Sequence, residues 1–164
     1  MACSIAGARL IIVCGLPGSG KTTLAKALER RLGAVRLCAD EWLAALGLNL
    51  YDEERRAKVE ALQWEFAQKL LAQGTVIIEW GTWGRAERDA LRLGARALGA
   101  RVELHYLTAS ADVLFERVRR RGMESPAIER EALLRWLEIF EKPSPEEMAL
   151  FDEPLASLID CDLK

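Results

Sequence analysis

The feature that most constrains the fold of this 164-residue chain is a glycine-rich loop between an apolar run and a helical pattern. The loop reads GLPGSGKTT over Gly15–Thr23, and its first eight residues fit G-x-x-x-x-G-K-[ST] at every defined position. The glycines allow the backbone to curl so that several N–H groups point inward, and the positive end of the following helix strengthens this anion site. The pattern therefore predicts a strand, a phosphate-binding loop and a helix in succession.

Such a loop predicts a site for a nucleoside triphosphate. Lys21 is expected to reach the β- and γ-phosphates, and the Thr22 hydroxyl is expected to bind Mg²⁺. The sequence contains no guanine-reading N-K-x-D motif, which favours ATP over GTP without fixing the choice. The expected cofactors are ATP and Mg²⁺. The expected nucleotide-binding residues are Gly15, Leu16, Pro17, Gly18, Ser19, Gly20, Lys21, Thr22 and Thr23.

Short apolar runs alternate with longer helical patterns along the rest of the chain. Strands that are apolar throughout and separated by helices indicate a parallel sheet covered on both faces. The length and the lack of a linker predict one domain over residues 1–164. The predicted strands are Arg9–Cys14, Val35–Ala39, Thr75–Glu79, Val102–Leu107 and a short fifth strand, Ser157–Asp160. The predicted helices are Lys21–Leu32, Asp40–Leu46, Glu53–Gln73, Arg85–Leu98, Ala111–Arg121 and Ile128–Phe140, with a capping box at Ser144 before one more turn.

Composition narrows the class of protein. A net charge of −2 argues against a general nucleic-acid coat. The four cysteines form no CxxC pair and there is one histidine, so a zinc site is not expected. No apolar run approaches the roughly 18 residues of a membrane span, and cleavage of a signal peptide would destroy the glycine loop. We therefore expect a cytoplasmic protein, and the oligomeric state is left open.

Two carboxylates follow predicted strands, where they would meet the γ-phosphate. A GTPase switch and an ATP-driven motor are disfavoured, the first by the missing guanine motif and the second by the short chain. A kinase needs a carboxylate that orients the acceptor hydroxyl and takes its proton. Asp40 follows the second strand and is the expected base, a role compatible with capping the next helix. Glu79 ends the third strand and serves either Mg²⁺ or the substrate, or makes a structural hydrogen bond.

Arginines would stabilise the transferring phosphoryl group. In FERVRRRG, Arg117 and Arg121 are four residues apart and share one helix face. They are expected to belong to a lid over about residues 117–140, although a solvated basic helix end is the alternative. Arg88, after the third strand, is a further candidate for contact with the acceptor or a phosphate.

Four stretches, GLPGSGKTT, CADEW, VIIEWGTWGRAER and LFERVRRRG, resemble those of a group of small P-loop kinases and come in the same order. That group includes the kinase domain of polynucleotide kinase, chloramphenicol phosphotransferase, zeta toxins and AAA_33-type ATP-binding proteins. The resemblance covers most of the chain. It implies a three-layer P-loop NTPase fold with a five-stranded parallel sheet of order 2-3-1-4-5 and a helical lid.

The resemblance also implies roles for individual residues. Asp40 matches the acceptor-activating aspartate. Lys21 and Thr22 match the phosphate lysine and the metal-binding hydroxyl. The paired lid arginines correspond to Arg117 and Arg121. This chain departs from polynucleotide kinases in having Leu43 where they carry an arginine, three residues past the aspartate.

The acceptor side of the predicted site is aromatic. Trp42 follows Asp40, while Trp80 and Trp83 follow the third strand, where they form either a pocket wall or part of the core. An aromatic, weakly charged pocket favours a small hydroxyl compound such as an antibiotic, a nucleoside or a sugar-like metabolite. The first hypothesis is therefore an ATP-dependent small-molecule phosphotransferase. The alternatives are a polynucleotide 5′-hydroxyl kinase, which low positive charge disfavours, and an ATP-binding regulatory or toxin-like module.

Overall fold

A computed structural model gives the structure of residues 7–122 and 127–155. Within these residues four strands form one parallel sheet in the order β2-β3-β1-β4. The strands are β1 (Arg9–Cys14), β2 (Val35–Cys38), β3 (Thr75–Glu79) and β4 (Arg101–Tyr106). The expected α/β architecture and the order of these four strands are confirmed. The predicted fifth strand, Ser157–Asp160, lies outside the described residues, so the observed sheet has four strands rather than five.

The central position of β1 explains its sequence, which is apolar from Leu10 to Cys14. Leu10 lies in register with Val76 on one side and with Val102 on the other. All six residues of β1 are buried, which is the pattern of a parallel strand covered on both faces. Because the strands are parallel, the carboxyl ends of β1, β2 and β3 meet at one edge of the sheet, where ligands bind in such folds.

Helices cover both faces of the sheet. They are α1 (Lys21–Leu32), α2 (Ala39–Ala45), α3 (Glu53–Leu71), α4 (Arg85–Ala97), α5 (Ala111–Arg121), α6 (Arg130–Ile139) and α7 (Pro145–Met148). On one face Ala25 and Leu28 of α1 pack against Ile11 and Ile77. On the other face α2, α3 and α4 contribute to a larger core. No helix of the described residues is long and apolar enough to cross a membrane.

A third apolar cluster lies under α5 and α6. It joins Leu16 of the glycine-rich loop to Leu114, Leu133 and Phe140. The two helices therefore pack beside the loop through apolar contacts. At the other end of this segment the Ser144 hydroxyl accepts a hydrogen bond from the N–H of Glu147 at 3.2 Å, which confirms the predicted cap of α7.

Candidate active site

The glycine-rich loop connects β1 to α1 and needs its glycines. Gly15, Gly18 and Gly20 have φ values of 146°, 82° and 99°, which strain any other residue. A side chain at Gly18 would place its Cβ 2.7 Å from the carbonyl oxygen of Leu114 in α5, and one at Gly15 would collide with the carbonyl oxygen of Leu107. The loop is thus held close to α5 and to the end of β4.

The loop carries polar groups that suit a phosphate. The Lys21 ammonium donates a hydrogen bond to the carbonyl oxygen of Leu16 at 3.0 Å. Burial lowers the pKa of Lys21, and the positive charge of Arg121 adds to this effect, while the carboxylates of Glu79 and Asp40 oppose it. The buried Ser19 hydroxyl has no hydrogen-bond partner among the described residues. A phosphate would supply the missing counter-charge and the missing acceptor, so these residues fit the triphosphate that the motif predicts.

Glu79 lies at the end of β3 and faces the start of α1. Its carboxylate accepts a hydrogen bond from the Thr22 hydroxyl, and its other oxygen pairs with Arg36 at 2.6 Å. Glu79 is 6% exposed, and each of its carboxylate oxygens accepts one of these hydrogen bonds and keeps a further lone pair. In P-loop NTPases a loop Ser or Thr and an acidic residue hold Mg²⁺. The pairing of Thr22 with Glu79 therefore fits a magnesium site, one of the roles expected for Glu79.

Arg36 was not found by sequence reasoning. Its guanidinium joins three carboxylates, those of Glu79, Glu41 and Glu29, at 2.6, 2.7 and 3.2 Å. This network fixes Glu79 from the side opposite Thr22. The sequence does contain an indication of this role. Arg36 is a charged residue inside the otherwise apolar strand VRLC, where a buried charge needs a partner.

Asp40 lies in the first turn of α2, as predicted. Its side chain is 62% exposed and pairs with Arg56 at 2.5 Å. The same guanidinium lies 3.6 Å from Glu60 and donates to the carbonyl oxygen of Leu50 at 2.9 Å. Leu43, which stands where polynucleotide kinases carry an arginine, is buried in the core. The cation beside Asp40 comes instead from Arg56 of α3. Asp40 therefore has a basic neighbour, although the pocket was expected to be weakly charged.

The predicted lid arginines lie near the loop. Arg117 Nη1 donates to the carbonyl oxygen of Gly18 at 3.3 Å. Arg121, one turn later, is close enough to Lys21 for its charge to lower the pKa of that group. Both side chains are therefore on the face of α5 that borders the phosphate loop.

The predicted acceptor residues divide into separate environments. Trp80 is buried, and its indole N–H donates to Gln63 Oε1. Trp83 packs edge-on against Trp136 and Phe140, with ring centroids 5.8 and 6.4 Å apart, in the cluster under α6. Trp42 is 36% exposed on α2.

The expected contact of Arg88 with an acceptor or phosphate is contradicted by its surroundings. Arg88 is fully buried and pairs with Glu147 at 2.6 and 3.0 Å. Its remaining N–H groups donate to the carbonyl oxygens of Thr82, Trp83 and Glu141. All five donors of the guanidinium are engaged, so Arg88 connects α4 to the C-terminal segment instead.

A cavity of about 260 Å³ opens between α3, α4 and the segment after β3. It is lined by Glu60, Ala61, Trp64, Trp80, Thr82, Glu87, Ala90 and Leu91. Of the five residues proposed from sequence for the acceptor side, the cavity contains Trp80. Arg56 connects the cavity to the predicted base, because it lies between Glu60 and Asp40.

Comparison with known proteins identifies the family. The family model for AAA_33, described as an AAA domain, matches residues 10–143, which are most of the chain. The chain belongs to the AAA_33 family. An uncharacterized Mycobacterium tuberculosis protein is 34% identical over an alignment of 138 residues that covers 73% of this chain and 27% of that protein. This chain therefore spans about a quarter of that relative's length.

Solved structures place this AAA_33 domain among small P-loop kinases. A gluconokinase from Sinorhizobium meliloti 1021 is similar with a TM-score of 0.64 and 24% identity, over 93% of this chain and 87% of that one. A sugar kinase from Janibacter sp. HTCC2649 is similar with a TM-score of 0.61 and 28% identity, over 85% and 81% of the two chains. The resemblance to small P-loop kinases is confirmed, and the AAA_33 domain is a nucleotide-binding protein of the kinase type.

Proposed function

We propose that this AAA_33 domain transfers the γ-phosphate of ATP to a hydroxyl group of a small molecule. In the reaction the acceptor oxygen forms a bond to the γ-phosphorus, the bond from that phosphorus to the β,γ-bridging oxygen breaks, and ADP leaves. The acceptor proton passes to a carboxylate. The observation that carries the proposal is the position of Asp40, whose charge acts on the phosphate lysine Lys21 and whose partner Arg56 borders the cavity.

The other residues have roles that follow from their positions. Lys21 and the loop N–H groups would bind the phosphates, and Arg117 and Arg121 would neutralise charge that spreads over the transferring group. Thr22 and Glu79 would hold Mg²⁺, which supplies charge neutralisation on the phosphate oxygens. Asp40 orients the acceptor hydroxyl and takes its proton, for which its exposed carboxylate is suited.

A small acceptor is favoured over a nucleic-acid end. The cavity has a volume of about 260 Å³, which suits a compact small molecule, and two of its lining residues, Glu60 and Glu87, are acidic. A phosphodiester strand would meet these carboxylates as like charges. The relatives named gluconokinase and sugar kinase support the same choice.

The first test is ADP release from Mg-ATP in the presence of antibiotics, nucleosides, sugars and 5′-hydroxyl oligonucleotides. We expect one class of small hydroxyl compound to stimulate ADP release. We expect Asp40→Ala to reduce that stimulated rate by about 100- to 10,000-fold, the range for a general base. ATP binding should persist in this variant, because the side-chain partner of Asp40 is Arg56 of α3 and not the glycine-rich loop.

The matched control is Glu54→Gln, which changes an exposed carboxylate that pairs with Lys58 on α3. This variant should keep the stimulated rate. Full activity of Asp40→Ala would show that Asp40 is not the base. Stimulation by the oligonucleotide, with a steep loss at high salt, would favour the polynucleotide kinase. Steady ADP release that no acceptor changes would favour the regulatory or toxin-like module.

A further inference from the structure

The cavity between α3 and α4 has walls of two kinds. Trp64 and Trp80 provide aromatic surfaces, and Ala61, Ala90 and Leu91 provide small and apolar ones. The ring of Trp64 packs on Gly94 in the next helix, where a Cβ would lie only 2.6 Å from the indole Cζ2. The indole thus meets α4 with its edge at Cζ2, where no side chain fits between them. Aromatic walls of this kind suit the apolar faces of a sugar ring or another compact ring.

The charged groups on the cavity are acidic. Glu60 and Glu87 line it, and none of the described residues that line it is basic. Arg56 lies beside the cavity, and its guanidinium is 2.5 Å from Asp40 and 3.6 Å from Glu60. Glu87, on the opposite helix, accepts its hydrogen bond from a backbone N–H and not from an arginine. The lining of the cavity therefore carries a net negative charge.

The two cavity carboxylates affect one another. Burial raises the pKa of Glu60, the charge of Arg56 opposes this, and the negative charge of Glu87 adds to it. Glu87 also accepts a hydrogen bond from the N–H of Gly84, the residue before α4, at 3.3 Å. A single backbone N–H leaves most of its oxygen lone pairs available. A positive group between these side chains would relieve their repulsion.

Thr82 adds a strained residue to the wall of the cavity. Thr82 lines the cavity and is 5% exposed, and its hydroxyl lies buried beside the thiol of Cys14. It is the one described non-glycine residue with a positive φ, at 44°. Residues held in such sparsely populated conformations concentrate at binding sites.

We infer that the acceptor bound in this cavity carries an ammonium group besides its hydroxyl, as an amino sugar or an amino alcohol does, and that Glu60 and Glu87 select it. The inference rests on the proposed function, because only a kinase has a phosphate acceptor. The binding of an ammonium compound in the cavity can be measured without it. An ammonium group would pair with the two carboxylates, and the aromatic walls would contact the apolar faces of its ring or chain. An acidic acceptor would bring a third carboxylate against two others without a basic partner in the lining.

The test compares three probes of nearly the same size, namely glucosamine, glucose and gluconate. At about pH 6.5 an amine with the usual α-amino pKa is protonated. Binding is measured with ATP-free protein by calorimetric titration, and ADP release from Mg-ATP is measured separately. The variants are Glu60→Gln and Glu87→Gln, alone and together. Glutamine retains the cap at position 87, and Glu54→Gln on the outer side of α3 is the matched control.

We expect glucosamine to bind about tenfold more tightly than glucose, as a charge-assisted hydrogen bond gives, and gluconate to bind most weakly. The double variant should lose this preference while its binding of glucose changes little. Equal binding of the three probes, tighter binding of gluconate, or an amine preference that survives the double variant would overturn the inference. The binding results test the inference, and ADP release tests the proposed function. If glucosamine is preferred in binding but no compound raises ADP release, the proposed function fails and the preference for an ammonium group stands.

Discussion

At the scale of single residues, the contact between Thr22 and Glu79 assigns a testable role to one hydroxyl. Thr22→Val keeps the shape of the side chain but removes the hydroxyl that donates to Glu79. Loss of a metal-binding group or its partner lowers metal affinity by about 10- to 100-fold. We therefore expect ATP to bind this variant about tenfold more weakly when Mg²⁺ is present, and with little change when Mg²⁺ is removed by EDTA. Calorimetric titration with and without Mg²⁺ measures both affinities.

Thr22→Ser is the conservative variant and should restore the effect of Mg²⁺, because it returns the hydroxyl. Glu79→Gln should resemble Thr22→Val, since the amide cannot serve both Arg36 and a metal as a carboxylate does. If Thr22→Val retains the full effect of Mg²⁺, the hydrogen bond to Glu79 is structural and the metal binds elsewhere.

Individual residues also show how much of the candidate site can be predicted from the sequence. The positions of Lys21 and Thr22 follow from the fixed spacing of the loop motif. Those of Asp40 and Glu79 follow from their places at the ends of predicted strands. Arg56 and Glu60 are not, because their relation to Asp40 depends on how α3 crosses the end of the sheet. A charged helix with arginine and glutamate four residues apart has the same sequence whether it faces solvent or a site.

At the scale of elements, the contact between α3 and α4 depends on one glycine. Gly94 is inside α4, where alanine would ordinarily stabilise the helix by about 0.5–1 kcal/mol. Here the added Cβ would meet the Trp64 indole at 2.6 Å and push it away from α4. We expect Gly94→Ala to lower the free energy of unfolding by about 1–3 kcal/mol, the usual effect of overpacking. Urea unfolding followed by circular dichroism measures this change.

The control for this prediction is a double-mutant cycle with Trp64→Leu, which removes the ring that the new methyl group meets. In the Trp64→Leu protein, Gly94→Ala should be neutral or stabilising, because only the helix preference remains. An equal loss of stability in both backgrounds would show that Gly94 is needed for its backbone conformation and not for the packing of Trp64 against α4.

At the scale of the whole molecule, the sequence predicted the alternation of strands and helices, and the structure confirms the parallel sheet and its order over four strands. The alternation was readable because buried parallel strands are apolar throughout. The role of Arg88 was not readable, because its partner Glu147 is 59 residues away in α7. From the sequence alone, an arginine just after a strand end is equally consistent with a phosphate contact and with a buried ion pair.

The pair of Arg88 and Glu147 therefore provides the last prediction, which concerns how the C-terminal segment is held to the sheet. Both side chains are at most 2% exposed, and Arg88 also binds three carbonyl oxygens. Removing one partner of a buried ion pair costs about 3–5 kcal/mol, because the other charge stays buried. We expect Arg88→Met to lose stability in that range, as measured by the midpoint of urea unfolding.

The surface pair of Arg85 and Asp89, 3.5 Å apart, gives the comparison, and Arg85→Ala should cost no more than about 1 kcal/mol. Replacing both partners, as in Arg88→Met with Glu147→Leu, should recover part of the loss but not all of it, because the carbonyl oxygens remain unpaired. Folded Arg88→Met protein at low temperature should keep the acceptor KM. A raised KM with unchanged stability would instead make Arg88 an acceptor contact, and the burial of its guanidinium against Glu147 would then have to open during turnover.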